Sequence, residues 1–255
     1  MAKDSLTGYG RPAFLRVMAG TAVLATLSLT VFAQTALAQP APGGAPLRIG
    51  VIGAGREGGA LGTAFAKAGH PIMFSSRHPE QLTDLVASVG PLAKAGTVEQ
   101  AVAFGDVVLL VVPYSAVEQI GNDYGKALAA KPLVIDVSNP IAQRDGEDLV
   151  KSVDVQGGAG LATQKLLPGA HLVRAFNAIG SGKLGELGQR KGEIGVPIAG
   201  DDPNAIMLAT GLIREIGFEP VLVGGLAMGK YLVPGTPLAG EHTPADLKQI
   251  ASALK

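Results

Sequence analysis

The chain has 255 residues, of which 47% are hydrophobic and 16% charged, so it can bury the core of one ordinary domain. Lys plus Arg and Asp plus Glu number 21 each, giving a formal net charge of zero, and tryptophan is absent. This composition offers neither the basic surface nor the stacking platform of a nucleic-acid-binding protein. Because there is no cysteine, disulfides, thiolate metal sites and cysteine nucleophiles are excluded.

The N-terminal residues have the order of an export signal. Three basic residues precede an apolar run at 17–32, and Ala36-Leu37-Ala38 supplies the small residues of a cleavage site. We expect a signal peptide at 1–38, cleavage after Ala38, and a periplasmic or secreted protein without stable membrane insertion. The alternative is an uncleaved anchor, because residues 17–38 approach the length of a bilayer span. The sequence leaves the general secretory and twin-arginine routes open.

The rest of the chain alternates between strand and helix patterns after a short linker at 39–46. Apolar runs predict strands at 47–52, 72–75, 106–112, 133–137, 171–175, 196–199 and 219–223. This alternation predicts a Rossmann-type, doubly wound, mostly parallel α/β sheet with a small C-terminal helical segment. We assign residues 47–202 to the dinucleotide-binding domain. Residues 203–255 are expected to complete the sheet on the side of the partner substrate.

A glycine-rich loop follows the first predicted strand directly. It has the spacing G-x-G-x-x-G and opens a predicted helix. In that setting the first glycine permits a tight turn, the second lets the backbone approach a pyrophosphate, and the third allows the helix to pack closely on the strand. Amides at the helix N-terminus then face the phosphates. We predict that the whole loop binds the cofactor: Gly53, Ala54, Gly55, Arg56, Glu57 and Gly58.

The end of the second strand indicates which dinucleotide fits. An NAD-binding domain usually has Asp or Glu there, roughly 20 residues after the first glycine, to hold the ribose 2′-hydroxyl. This chain has Ser75, Ser76 and Arg77 instead. Two hydroxyls and a guanidinium suit a 2′-phosphate, which an acidic side chain would repel. We therefore predict NADP(H) as the cofactor and include these three residues in its site.

Several motifs in the same order resemble the NADPH-dependent coenzyme F420 reductases. They are the glycine loop, the Ser-Ser-Arg sequence, and the segments 111–114 (VVPY), 136–140 (DVSNP) and 175–180 (AFNAIG). The resemblance extends over residues 47–235. The same module is similar to the cytosolic domain of animal transmembrane metalloreductases and, more remotely, to pyrroline-5-carboxylate reductase.

The resemblance implies hydride transfer between NADP(H) and a small-molecule redox partner with a second ring, such as coenzyme F420 or FMN. It also implies cofactor contacts from three later strand ends: Val112, Pro113, Asn139, Pro140, Asn177, Ala178 and Ile179. The Asn177 amide is expected to orient the nicotinamide carboxamide, whereas the two prolines would also serve simply to end their strands.

Transfer of hydride to a deazaflavin demands no acid or base from the protein, so we predict no catalytic residue. The histidines have no metal-ligand spacing, so we predict no metal site. In the family, dimer contacts draw on the C-terminal end, which is short here, and the sequence leaves a homodimer open.

Two other functions stay open on the sequence. A non-catalytic NADP(H)-binding sensor or scaffold would use the same fold. An NADPH-dependent reductase of a small imine or keto acid would need a proton donor near the nicotinamide, and Lys183 is the nearest candidate. Turnover with any acceptor would exclude the sensor, and a large rate loss in Lys183→Ala would favour the imine or keto acid reductase.

Overall fold

The structure is a computed structural model that describes residues 45–254. The predicted signal peptide and residues 39–44 of the predicted linker therefore lie outside the described residues. Within 45–254, no helix is long and apolar enough to cross a membrane.

Eight strands form one sheet in the order β3-β2-β1-β4-β5-β6-β7-β8. Every neighbouring pair is parallel except β6 and β7, which are antiparallel. The Rossmann-type, mostly parallel sheet predicted from the sequence is thus confirmed. The strands are β1 Ile49–Ile52, β2 Ile72–Ser75, β3 Ala93–Gly96, β4 Val107–Leu110, β5 Val134–Asp136, β6 Leu172–Arg174, β7 Gly195–Gly200 and β8 Glu219–Gly224.

Helices connect the strands, and 3₁₀ turns occur at Pro79–Leu82, Tyr114–Ala116 and Leu226–Tyr231. The α-helices are α1 Arg56–Lys67, α2 Thr83–Val89, α3 Val98–Phe104, α4 Val117–Ala129, α5 Ala142–Asp145, α6 Glu147–Val155, α7 Ala159–Leu166, α8 Ser181–Leu187, α9 Pro203–Glu215 and α10 Pro244–Ala253.

The central strands are apolar at almost every position because both of their faces are buried. Ile49 and Val51 of β1 belong to the core on one face of the sheet, and Ile52 belongs to the core on the other. Val107–Leu110 divides between the two cores in the same way. Such continuous apolar runs are typical of strands covered by helices on both sides.

The strand order reverses at β1, which has β2 on one side and β4 on the other. In open α/β sheets, ligands bind in the crevice outside the carboxyl ends of the strands at this reversal. The glycine loop begins at the end of β1 and therefore lies at this crevice.

Parts of the fold were not predicted from the sequence. The edge strand β3 consists of Ala, Lys and Gly, which have little strand propensity, and it forms through parallel pairing with β2. Helices α5, α6 and α7, between β5 and β6, and helix α8 after β6 were also missed. Of these, α8 matters most for the site because it packs against α1.

Candidate functional site

The glycines of the β1–α1 loop meet three different packing demands. Gly53 has a φ of 97°, and a Cβ there would lie 2.3 Å from the carbonyl oxygen of Val111. A Cβ on Gly58 would lie 2.1 Å from the carbonyl oxygen of Gly53. A Cβ on Gly55 would meet no atom within 4 Å. Turn, open space and close helix packing thus occur at Gly53, Gly55 and Gly58, in the order expected of a pyrophosphate loop.

Helix α1 presents its N-terminus to this open space. Gly55 is its N-cap residue and provides no side-chain cap. Amides of a first helical turn have no acceptor within the helix, so those of Arg56, Glu57 and Gly58 are directed towards the crevice. Free amides and the helix dipole together favour an anion at this position.

A cleft of about 560 Å³ opens at the carboxyl ends of β1, β4, β5 and β6. Four loops at these strand ends and Pro234 of the C-terminal segment contribute to its lining, which shows that the fold brings distant sequence segments together. The predicted cofactor residues in the lining are Gly55, Arg56, Glu57, Gly58, Val112, Pro113, Asn139, Asn177, Ala178 and Ile179.

The remaining predicted residues lie outside this lining. Gly53 and Pro140 do not line the cleft, and Ala54 lines a neighbouring groove beside α1. Ser76 and Arg77 follow β2, the strand next to β1, and Arg77 is exposed. The Ser76 hydroxyl accepts a hydrogen bond from the N–H of His78 at 2.8 Å, which shapes the turn that carries Arg77.

Ser75 corrects one of the sequence predictions. Its side chain is fully buried, and its hydroxyl donates to the carbonyl oxygen of Val51 at 2.8 Å. Its own carbonyl oxygen accepts hydrogen bonds from the N–H groups of Gly53 and Ala54 at 3.3 and 2.9 Å. Ser75 therefore holds the glycine loop through its backbone carbonyl, and its buried hydroxyl does not face a 2′-phosphate.

Asn177 lines the cleft and has one unpartnered acceptor atom. Its Nδ2 donates to the carbonyl oxygens of Asp136 and Ser138 at 3.1 and 3.4 Å. Because both neighbours are acceptors, only the amide nitrogen can face them, and this fixes the amide orientation. The Oδ1 atom is then buried with no hydrogen-bond partner among residues 45–254. Such an atom costs about 1–3 kcal/mol, so it is suited to accept a hydrogen bond from a ligand.

Asn139, in contrast, is committed to the protein. Its Nδ2 donates to the carbonyl oxygen of Asn177 at 2.7 Å, and its Oδ1 accepts from the guanidinium of Arg174 at 3.3 Å. Asn139 thus ties the loop after β5 to the loop after β6, and its amide positions Asn177.

A buried ion pair lies beneath these two loops. Arg174 at the end of β6 and Asp136 at the end of β5 are both fully buried, with Nη1 and Oδ2 2.5 Å apart. Arg174 also donates to the carbonyl oxygen of Ser138 at 2.9 Å. Removing one partner of such a pair leaves an uncompensated charge in the interior. The pair therefore holds the carboxyl ends of β5 and β6 in a fixed relation.

Phe176 precedes Asn177 in a strained conformation. Its φ is 61°, and it is the non-glycine residue with positive φ in the described part of the chain. Its ring is held edge-to-face against Phe218 with centroids 5.9 Å apart. Left-handed backbone in a residue other than glycine costs about 1–3 kcal/mol and is frequent at functional sites. The strain turns the chain so that Asn177 enters the cleft.

Three charged side chains line the cleft: Arg56, Glu57 and Arg144. Arg144 on α5 donates to the carboxylate of Asp145 at 2.8 Å and to the carbonyl oxygen of Asn139 at 2.5 Å. Arg144 was not predicted, since it lies in a short helix without a motif. Burial raises the pKa of Glu57 to about 7, and the backbone N–H of Ser181 offsets part of that rise.

Lys183, the candidate proton donor, lies outside the cleft. It lines a smaller pocket beside Ala178 and Glu241 rather than the cleft. Its side chain is 68% exposed, and its Nζ is 4.0 Å from a carboxylate oxygen of Glu241. The structure therefore does not bring the proposed proton donor of an imine reductase into the cleft.

Part of the chain matches a known protein family. Residues 48–140 match the family described as "NADP oxidoreductase coenzyme F420-dependent". This range includes the glycine loop and the ends of β4 and β5 that line the cleft. Residues 48–140 are thus similar to that oxidoreductase family.

Two curated relatives extend the likeness beyond residue 140. The F420-dependent NADP reductase of Methanothermobacter thermautotrophicus is 28% identical over 204 residues, which cover 75% of this chain and 87% of that protein. The metalloreductase STEAP3 of Rattus norvegicus is 29% identical over 186 residues, 72% of this chain. The chain matches only 35% of the length of that metalloreductase.

A solved structure shares the fold. It is a protein from Arthrobacter sp. FB24 described as an F420-dependent NADP reductase, with a TM-score of 0.62 and 20% sequence identity. The alignment covers 72% of this chain and 87% of that one. At this identity the likeness concerns the fold alone.

Proposed function

We propose that this protein is an NADPH-dependent reductase that passes hydride to a second ring system of the deazaflavin or flavin class. The observation that carries the proposal is the N-terminus of α1, which has no side-chain cap, in a cleft that is also lined by Asn177 with its unpartnered Oδ1. An anion-binding helix end and an amide acceptor are the two groups that a dinucleotide needs at its phosphate and nicotinamide ends.

The residues fit NADP(H) as follows. The amides of residues 55–58 would receive the pyrophosphate, and Arg77 with Ser76 would receive the 2′-phosphate through charge-assisted hydrogen bonds. Asn177 would accept a hydrogen bond from the carboxamide, while Val112 and Ile179 supply apolar walls. When bound, NADPH supplies a hydride from its dihydronicotinamide ring.

The protein's contribution to such a reaction is orientation and exclusion of water. Asn139, Arg174 and Asp136 hold the loop that carries Asn177, and they therefore fix where the carboxamide would lie. The ring acceptor is supported by the family match and by the names of the relatives. The imine or keto acid reductase loses its support because Lys183 lies outside the cleft.

The first experiment measures binding of NADPH and NADH to the purified protein. Arg77→Ala should weaken NADPH binding by about 10- to 100-fold, because a charge-assisted hydrogen bond contributes about 1.5–3 kcal/mol. Binding of NADH should not change. Lys94→Ala, which removes an exposed cation from β3, is the matched control. Equal affinities of the wild type for NADPH and NADH would contradict the assignment of NADP.

The second part of this experiment adds coenzyme F420, FMN or a ferric chelate to the NADPH complex. Rapid oxidation by one of the rings would identify the acceptor class. Oxidation by the ferric chelate alone would replace the ring acceptor with a metal ion as substrate. Tight binding without turnover by any of them would favour the sensor.

A further inference from the structure

Glu57 is unusual for its position. It is the second residue of α1, in the loop where the cofactor's negatively charged pyrophosphate is expected. A carboxylate among phosphate-binding amides would be repulsive if it faced the phosphates. Its Oε1 is instead buried, with no hydrogen-bond partner in the described part of the chain.

The surroundings of Glu57 show which part of the cleft it faces. The backbone N–H of Ser181 lies close enough to influence the carboxyl group, and Ser181 ends the same loop that carries Asn177. Arg56 and Ser181 line both the cleft and the groove on the other side of α1. Glu57, in contrast, lines only the cleft. The carboxyl group therefore belongs with the nicotinamide side of the cleft, whereas Arg77 belongs to the adenosine side.

We propose that Glu57 is a specificity-determining residue that makes the site prefer oxidised over reduced cofactor, because its carboxylate stabilises the positive charge of the oxidised nicotinamide ring. The inference rests on the proposed function, since it requires NADP(H) in this cleft. Bound NADPH would supply a hydride, that is two electrons and one proton, from C4 of its dihydronicotinamide ring to the ring acceptor. The oxidised nicotinamide ring would carry a formal positive charge that the reduced ring lacks.

The charge balance around Glu57 permits this effect. Arg56 from α1 and Arg144 from α5 are the other charged residues lining the cleft, and both are cations. On α8, which packs against α1, Lys183 and Glu186 are exposed and do not line the cleft. Among residues 45–254, Glu57 is thus the one acidic side chain that lines the cleft. Water and salt screen an interaction between charges only weakly in such a partly buried site.

The test compares dissociation constants of NADP⁺ and NADPH at pH 8, where the carboxyl group is mostly ionised. Glu57→Gln keeps the shape and removes the charge. We expect NADP⁺ affinity to fall about tenfold relative to NADPH affinity, which equals about 1.4 kcal/mol. Glu186→Gln is the matched control, because it removes one exposed carboxylate from the neighbouring helix and should leave the ratio unchanged.

A second readout uses the wild type alone, so it does not depend on the variant folding. By linkage, a cation that binds beside the carboxyl group must lower its pKa, and NADP⁺ binding at pH 7 should release protons. Calorimetry in two buffers of different ionisation enthalpy measures this release. NADPH binding should release fewer protons, and the difference should vanish in Glu57→Gln.

The outcomes separate the two proposals. If both cofactor forms bind but the ratio is unchanged in Glu57→Gln, or shifts equally in Glu186→Gln, this inference is overturned while the proposed function stands. Equal proton release with NADP⁺ and NADPH in the wild type overturns it as well. If neither form binds to the wild type, the proposed function fails and the inference fails with it.

Discussion

At the level of single residues, the cleft stores unfavourable free energy in polar atoms that the protein does not satisfy. Asn177 Oδ1 and Glu57 Oε1 are both buried without a partner among the described residues, and each such atom costs about 1–3 kcal/mol. Phe176 adds backbone strain directly beside one of them. A ligand that supplies the missing donor or charge recovers this energy as affinity, which is why such atoms mark binding sites.

Burial of the Glu57 carboxylate costs folding free energy, and this cost should make the stability of the protein depend on pH. Its pKa is raised to about 7 in the folded protein, whereas an unfolded chain keeps a value near 4.5. The unfolded state therefore loses its proton first, and the free energy of unfolding falls as pH rises from about 4.5 to about 7. Since the group is partly solvated, we expect Glu57→Gln to recover only about 1–2 kcal/mol above pH 7.

Urea unfolding of wild type and Glu57→Gln at pH 5.5 and pH 8.5 measures this difference. The variant should gain more stability over the wild type at pH 8.5 than at pH 5.5. Glu186→Gln serves again as the control for loss of an exposed carboxylate. A Glu57→Gln variant whose stability follows the wild type at both pH values would show that the carboxyl group is fully solvated.

Sequence reasoning at this scale succeeded where the backbone determines the outcome. Gly53, Gly55 and Gly58 each have the environment that their spacing predicts. It failed at Ser75, because strand alternation turns that hydroxyl inward. The direction of a side chain at the end of a strand depends on the register of that strand with its neighbours. It also expected cofactor contacts from both Asn139 and Asn177, whereas both polar ends of the Asn139 amide are hydrogen-bonded within the protein.

At the level of elements, different glycines of the short β1–α1 loop are expected to determine protein stability and cofactor binding. Gly58→Ala would force a methyl group to 2.1 Å from the Gly53 carbonyl oxygen, so it should destabilise the protein by about 1–3 kcal/mol or more. Gly55→Ala meets no atom within 4 Å and should change stability by less than about 1 kcal/mol. It should nevertheless weaken NADPH binding, because its methyl group lies where the pyrophosphate would approach.

Urea unfolding and NADPH titration of both variants test this separation. Gly59→Ala is the matched control, since its methyl group would lie 3.6 Å from Leu85 in a helix interior, and it should stabilise the protein by about 0.5–1 kcal/mol. Unchanged NADPH affinity in Gly55→Ala would show that the phosphates bind elsewhere.

Elements were predictable when their own residues determine them. The central strands β1, β2 and β4 are apolar runs, and they formed close to their predicted bounds. The strand β3 is held by its partner, and α8 begins in Ser-Gly-Lys with no strong periodicity. Local propensity cannot identify elements that tertiary contacts stabilise, and α8 is one of the elements that shapes the cleft.

At the level of the whole molecule, the sheet continues across the predicted boundary at 202/203. After residue 202, α9 returns the chain to β8, which pairs with β7 from Gly195 to Ala199. The 3₁₀ turn that follows covers the buried ion pair, since a Cβ on Gly229 would lie 2.7 Å from Arg174 Cδ. The C-terminal segment thus stabilises the residues that position the cleft.

A chain that ends at Asp202 should therefore not fold cooperatively. It would lose the partner of β7, the ring of Phe218 against Phe176, and the cover over a fully buried Arg174. Thermal unfolding followed by circular dichroism would test this. The protein ending at Lys255 should show one transition whose midpoint rises with added NADPH. A cooperative transition with NADPH-dependent stabilisation in the shorter chain would instead make residues 203–255 an independent addition to a complete dinucleotide-binding domain.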